Sequence, residues 1–180
     1  IAESLERNGL SATLLDKGRS VGGRLATRRI GGGKADHGAQ FFTVRTPEFQ
    51  AYVDEWLAED LVFQWSLGWS DGSLKRTASD GHPRYVAREG MNSIARHLQS
   101  KLQSEIRTDT RAIHINYNDN AQVWEVETND ENIYTASGLA VTAPVPQTLE
   151  LIDHSQLILS EDDRAALDRI HYGPCLCGMH

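Results

Sequence analysis

The sequence predicts a mixed α/β fold on three observations. A short apolar run, Ser11 to Leu15, ends in an acid, Asp16, as a buried parallel strand does. Two segments carry helix start signals followed by apolar residues at helical spacing, one opening at Thr46-Pro47 and one at Asn92. From Ile106 the period switches to two, which marks antiparallel strands. Strands of parallel type therefore stand at both ends of the pattern, with an antiparallel insertion between them.

Taken in order, residues 1–8 predict the tail of a helix, stopped near Gly9. Residues 17–34 interleave Lys17, Arg19, Arg24, Arg28, Arg29 and Lys34 with six glycines, and predict a basic glycine-rich loop holding at most one helical turn. The helix from Thr46 runs through Phe49, Tyr52, Val53, Trp56 and Leu57. Leu61 to Trp65 reads as a strand, and 66–83 as a hairpin tip or loop. Asn92 then caps a helix with Ile94, Leu98 and Leu102 on one face. Ala112 to Tyr117 and Val123 to Thr128 form a hairpin about Asn118-Asp119-Asn120, followed by a short strand from Ile133 to Ala136. Leu139 to Ala143 reads as a buried strand stopped by Pro144 and Pro146. Helices follow near 146–152 and after Ser160.

Composition narrows the functional classes. The chain has 180 residues, 39% hydrophobic and 24% charged, which suits a soluble globular protein of one domain or slightly more. Eighteen basic against twenty-five acidic residues give a net charge of −7. Such a surface repels phosphate backbones, so neither nucleic acid nor an anionic membrane is an expected partner. Apolar runs fall short of a bilayer span, and the first residues carry no signal-peptide core. Cys175 and Cys177, adjacent but one, do not bridge readily, which points to a reducing, cytoplasmic setting. The chain starts at Ile1 inside a predicted helix and reads as a fragment.

Chemistry concentrates in the basic loop. An acid ending the second strand of a dinucleotide-binding βαβ unit accepts hydrogen bonds from a ribose, and Asp16 stands in that place. The phosphate-binding glycines that precede such an acid by about 20 residues would then fall before Ile1. Asp16 could equally be a solvated acid at a strand end. Gly22 and Gly23 allow close backbone approach to a ligand, and the Arg24 guanidinium matches a pyrophosphate. The alternative is a surface loop with solvated arginines.

Arg19-x-x-Gly22-Gly23-Arg24-x-x-Thr27, directly after a strand ending in an acid, resembles a signature of the flavin amine oxidase superfamily. Asp36-His37-Gly38-Ala39-Gln40-Phe41-Phe42 resembles the segment beside the flavin ring, and Glu89-Gly90-Met91 a loop near the substrate domain. Thr110-Arg111-Ala112-x-x-Ile115 resembles the strand that meets the adenine, and Val141 to Pro146 the turn that closes the nucleotide domain. The matches cover nearly the whole chain, and the bacterial renalase-like proteins fit best. The family's N-terminal glycine turn and C-terminal Gly-Asp segment are absent from this sequence.

The resemblance implies a glutathione-reductase-type FAD-binding fold with an inserted antiparallel substrate-domain portion. It divides the chain into FAD-binding parts at 1–45 and 105–148 and substrate-domain parts at 46–104 and 149–180. It implies FAD as cofactor, held by Asp16, Lys17, Gly22, Gly23, Arg24, His37, Gly38, Ala39, Gln40, Phe41 and Ala112. The implied reaction is FAD-dependent oxidation of an isomeric dihydronicotinamide dinucleotide to NAD(P)⁺, with O₂ reduced to H₂O₂. An amine oxidase and a non-catalytic nucleotide-binding module are the alternatives. His37 is the candidate for a proton role, while the flavin would carry the electron chemistry. His171, Cys175, Cys177 and His180 do not make a metal set, since metal fingers usually place two to four residues between paired ligands, Cys-x-Cys has one, and no second ligand pair lies elsewhere.

Overall fold

The structure, a computed structural model, describes residues 1–70 and 77–173. Among the described residues the chain divides into two units, one built from Ile1–Ala12 and Ser20–Ser104, the other from Thr13–Arg19 and residues 105–173.

The first unit opens with helix α1 (Ala2–Arg7), which ends at Asn8 and is followed by Gly9 at φ +72°. A left-handed residue just past a helix end suits glycine, as the sequence predicts. The basic loop departs from expectation in its second half. After a 3₁₀ turn at Gly23–Leu25, strands β2 (Thr27–Ile30) and β3 (Gly33–Asp36) form an antiparallel hairpin. Gly31, at φ +56°, makes the tight reversal possible. A hairpin so rich in charge carries no apolar alternation, and its composition alone suggests only a loop.

Strand β4 (Phe42–Thr43) leads to helix α2 (Pro47–Ala58). The Thr46 hydroxyl accepts from the Phe49 amide at 3.3 Å and Pro47 occupies the first turn, as predicted. Strands β5 (Val62–Ser70) and β6 (Thr77–Ala87) complete a sheet of order β4-β6-β5. The segment 66–83, expected as a hairpin tip or loop, supplies the paired arms of the β5–β6 hairpin, and 71–76 lies outside the described residues. Two register shifts, between Gln64 and Ser66 and between Ser66 and Gly68, break the alternation that would have marked the strand.

Helix α3 (Asn92–Lys101) follows. Met91, not Asn92, is its N-cap, because the Asn92 side chain is committed elsewhere: its amide donates to the Val21 carbonyl at 2.5 Å. The core gathers Val53 and Trp56 from α2, Val62 from β5, Tyr85 and Ala87 from β6, and Met91 and Ile94 at the start of α3. Phe42 packs edge-on to Trp56 at 6.2 Å and stacks on Tyr85 at 5.6 Å. Each such side chain contributes about 1.5–3 kcal/mol by burial.

In the second unit, β1 (Thr13–Leu15) pairs in parallel with β7 (Glu105–Arg107), Leu14 opposite Ile106. Strands β8 (Ala112–Asn118), β9 (Val123–Thr128) and β10 (Ile133–Ala136) form the antiparallel meander that the sequence predicts. Helix α4 (Val145–His154) lies against β8, and the Ser155 hydroxyl after it accepts from the buried Ile115 amide at 2.9 Å. Ser160 caps helix α5 (Glu161–Asp168), accepting from the Asp163 amide at 3.1 Å. The strand expected at 139–143 does not form: the run has the composition of a buried strand, yet it finds no ladder partner among the described residues. No helix among the described residues is long and apolar enough to cross a membrane.

Candidate functional site

Two of the expected ligand-binding segments are zipped together in the first unit. The Ala39 amide donates to the Arg24 carbonyl at 2.8 Å, and the His37 and Gly38 amides both donate to the Ala26 carbonyl, at 3.2 and 3.3 Å. Gly38 is required by this contact. A Cβ there would overlap the Arg24 carbonyl oxygen and come within 2.8 Å of its carbon. Gly22 is required by a different one. It sits at φ +113°, and a Cβ would strike the Asn92 side chain and approach the Ala95 methyl at 3.2 Å. Residues 37–40, Gly23 and Arg24 remain exposed along this double segment.

A polar pin fixes the double segment to α3. The Asp36 carboxylate accepts from the Thr27 hydroxyl and, at 2.9 Å, from the Met91 amide. The Asn92 amide donates to the Thr27 hydroxyl at 3.1 Å. Gly90, at φ +88°, lets the chain enter this corner, since a Cβ would lie 2.8 Å from Thr27 Oγ1. These bonds satisfy amides that a helix N-terminus leaves unpaired. Asp36 is consumed by this pin, which explains its separation from any proton role with His37. Sequence reading missed the pin because its members stand 55 and 65 residues apart.

Beyond His37 the chain turns aromatic. The Phe41 ring packs against Trp65 at 6.1 Å, and the Arg84 guanidinium lies over Phe41 at 5.9 Å. Arg84 is buried and also donates to the His82 carbonyl at 3.3 Å, whereas Trp65 is 53% exposed. Trp56 lies in the core, and the partly buried Tyr52 packs against it at 6.1 Å. Arg84 is a residue that sequence reasoning did not single out; a charged side chain inside a strand run was its only signal.

In the second unit, Asp16 closes β1 and its Oδ1 accepts from the Gly18 amide at 2.8 Å. The Thr110 amide donates to the Asp16 carbonyl at 3.0 Å, and the Asp109 amide to the Gly18 carbonyl at 2.9 Å. The acid and the entry to β8 at Ala112 are therefore held as one corner, with Thr110 buried between them. Lys17 is exposed beside it. Among the described residues no group of His, Cys, Asp and Glu is arranged to hold a metal ion; Cys175, Cys177 and His180 lie outside those residues.

Comparison with known proteins gives the family. Residues 1–56 match a family model described as an NAD(P)-binding Rossmann-like domain, and residues 70–178 match one described as flavin containing amine oxidoreductase. The chain belongs to the flavin-containing amine oxidoreductase family. Within it the chain is similar to renalase of Mus musculus, at 28% identity over 165 residues. That match takes in 88% of this chain and 46% of the relative, so the chain spans about half the length of the curated protein it matches. Among solved structures, a CLA-producing fatty acid isomerase from P. acnes superposes with a TM-score of 0.62 at 13% identity, over 93% of this chain and 60% of that one. That likeness concerns the mixed α/β fold alone. A putative protoporphyrinogen oxidase from Exiguobacterium sp. 255-15 matches at 23% identity over 42% of this chain and 16% of that one, with a TM-score of 0.35.

Family membership makes FAD the cofactor. The residues present fit such a group. Gly23, at φ +46° with open space around it, leaves its backbone accessible to a ligand, and the exposed Arg24 would supply a planar fork for a pyrophosphate. Asp16 is oriented through one oxygen by Gly18, and its other oxygen makes no hydrogen bond among the described residues, which suits a ribose hydroxyl.

Proposed function

We propose that the full-length protein is a renalase-like oxidase that returns isomeric dihydronicotinamide dinucleotides to NAD(P)⁺. Bound FAD supplies the hydride acceptor, and O₂ takes up the electron pair with two protons to give H₂O₂. In this reading 1–45 and 105–148 serve the cofactor, 46–104 and 149–180 the substrate. Arg24, Gly22 and Gly23 hold the pyrophosphate, Asp16 with Lys17 and Ala112 the adenosine end, and His37 to Phe41 adjoin the flavin ring.

One observation favours a dihydropyridine substrate. The half-buried Phe41 ring and the exposed Trp65 indole, tilted 37° to each other, offer an aromatic surface directly after the segment assigned to the ring. A dihydropyridine is a neutral, flat hydride donor and needs stacking, not a base. An amine must first lose its ammonium proton. From His37 to Val44 only His37 could take one, and Asp36 is bound to Thr27 and Met91. The amine oxidase reading rests on the family name, and it is the second reading.

The test is anaerobic reduction of full-length, FAD-loaded protein. The 2- and 6-dihydro isomers of NAD should bleach the flavin quickly, with peroxide formed when air returns. Fast bleaching by simple amines instead would move the protein to the amine oxidase reading. Bound flavin that neither class reduces would leave a nucleotide-binding module.

A further inference from the structure

The basic loop holds more cations than a single pyrophosphate contact uses, and the hairpin sorts them. In an antiparallel pair, directly opposed residues share a face. Thr27 opposes Asp36 and Arg29 opposes Lys34, so one face of β2–β3 carries the pin and, two residues on, two like charges side by side. On α3, Asn92 and Arg96 are four apart and share a face of their own. Between them lies a half-open cavity of about 220 Å³ lined by Ser20, Arg29, Lys34, Glu89 and Arg96 beside the pin residues Thr27 and Asn92. At about 30 Å³ per water that is room for roughly seven waters, enough for a phosphate or a pyrophosphate group.

Its charge is unbalanced. Lys34 pairs with Glu89, and that bond, with Lys34's charge and then those of Arg29 and Arg96, holds the Glu89 carboxyl below its ordinary range. Among the described residues neither Arg29 nor Arg96 makes an ion pair or hydrogen bond of its own. Three cations against one carboxylate leave two positive charges in excess. Opposed like charges on a hairpin destabilise it, so the fold maintains this arrangement at a cost that an anion would offset. We propose that this cavity is a binding site for a phosphate-type dianion, with Arg29 and Arg96 as its two planar forks and Glu89 as the internal competitor that the ligand displaces from Lys34. Two guanidinium groups match the oxygens of a phosphate bidentately, and the ligand charge equals the excess. All its residues belong to the first unit, and the inference stands apart from the flavin reading.

Pyrophosphate and ADP, titrated calorimetrically at fixed ionic strength into full-length FAD-loaded protein, provide the test. Saturable binding of one equivalent is expected. Arg29→Ala and Arg96→Ala should each weaken it by about tenfold or more, and Glu89→Gln should tighten it. All three side chains are exposed, so the variants keep their fold. ADP no tighter than pyrophosphate assigns the site to the phosphate alone; ADP at least tenfold tighter assigns a nucleotide. Unchanged affinity in both arginine variants, weaker binding in Glu89→Gln, or displacement of FAD by pyrophosphate would each overturn the proposal.

Discussion

The Asp36 carboxylate accepts the Met91 backbone amide at 2.9 Å across 55 residues of sequence, and so ties the β2–β3 hairpin to the start of α3. The same carboxylate holds the Thr27 hydroxyl, which accepts the Asn92 amide in turn. Asp36→Ala leaves the Met91 amide and Thr27 unsatisfied in a half-buried corner. The expected loss is about 1–3 kcal/mol, visible as a lower urea midpoint. An Asp36→Ala protein as stable as wild type would show that water replaces the carboxylate.

Arg24 and Gly38 share one backbone contact but should fail differently. Arg24→Ala removes an exposed guanidinium, so stability should hold while FAD affinity falls by about 1.5–3 kcal/mol, the worth of a charge-assisted contact to phosphate. Gly38→Ala drives a methyl into the Arg24 carbonyl and must shift the 37–39 segment, lowering both stability and FAD binding. Equilibrium flavin-fluorescence titration with parallel thermal melts separates the two. Wild-type FAD affinity in Arg24→Ala would remove the pyrophosphate role.

The Glu6 side chain of α1 closes the far end of α3. Its Oε1 accepts from the Ser104 hydroxyl at 2.5 Å and from the Ser104 and Gln103 amides at 2.6 and 2.9 Å. The Ser104 hydroxyl above all holds the Glu6 carboxyl below its ordinary value; burial opposes it, and the Ser104 and Gln103 amides add to the lowering. A carboxyl whose folded pKa is depressed contributes stability above its unfolded pKa, near 4.3 (about), and that contribution is lost as pH falls through the folded pKa. Glu6→Gln should therefore melt lower than wild type at neutral pH, and the gap should close in acid. A gap independent of pH would mean that shape, not charge, matters at this position.

Legibility in the sequence followed the range of the forces involved. Local signals were complete at α2, where Thr46 caps and Pro47 follows, and at the β8–β9 hairpin about Asn118. The glycine-arginine signature marked the loop because Gly22 needs φ +113°, a local demand. Signals failed where tertiary partners decide. Asn92 has the chemistry of a cap and instead binds Val21, and 139–143 has the composition of a strand without a partner to pair with. The register shifts in β5 hid a nine-residue strand, and the cavity at Arg29 and Arg96 exists only once hairpin and helix meet.

Trp56 and Trp65 carry the same side chain to opposite ends, one in the core and one beside Phe41. Trp56 is 5% exposed and meets Phe42, Phe49 and Tyr52. Trp56→Ala should cost about 3–5 kcal/mol and impair every property together. Trp65 is 53% exposed and touches Phe41, so its indole contributes less to folding. If that pair forms the stacking surface for a dihydropyridine, Trp65→Ala should keep the melting temperature within a few degrees (about 1 kcal/mol of stability or less). It should raise the dinucleotide concentration needed for half-maximal flavin reduction, while Trp65→Phe, which retains a flat ring, should recover most of the loss. FAD affinity should stay the same in both variants, which separates a substrate contact from a cofactor contact. Anaerobic stopped-flow reduction against dinucleotide concentration, run beside a flavin titration, reads both quantities on the same preparations. Equal reduction kinetics in wild type and Trp65→Ala would assign the exposed indole to the surface and leave Phe41 without a partner in catalysis.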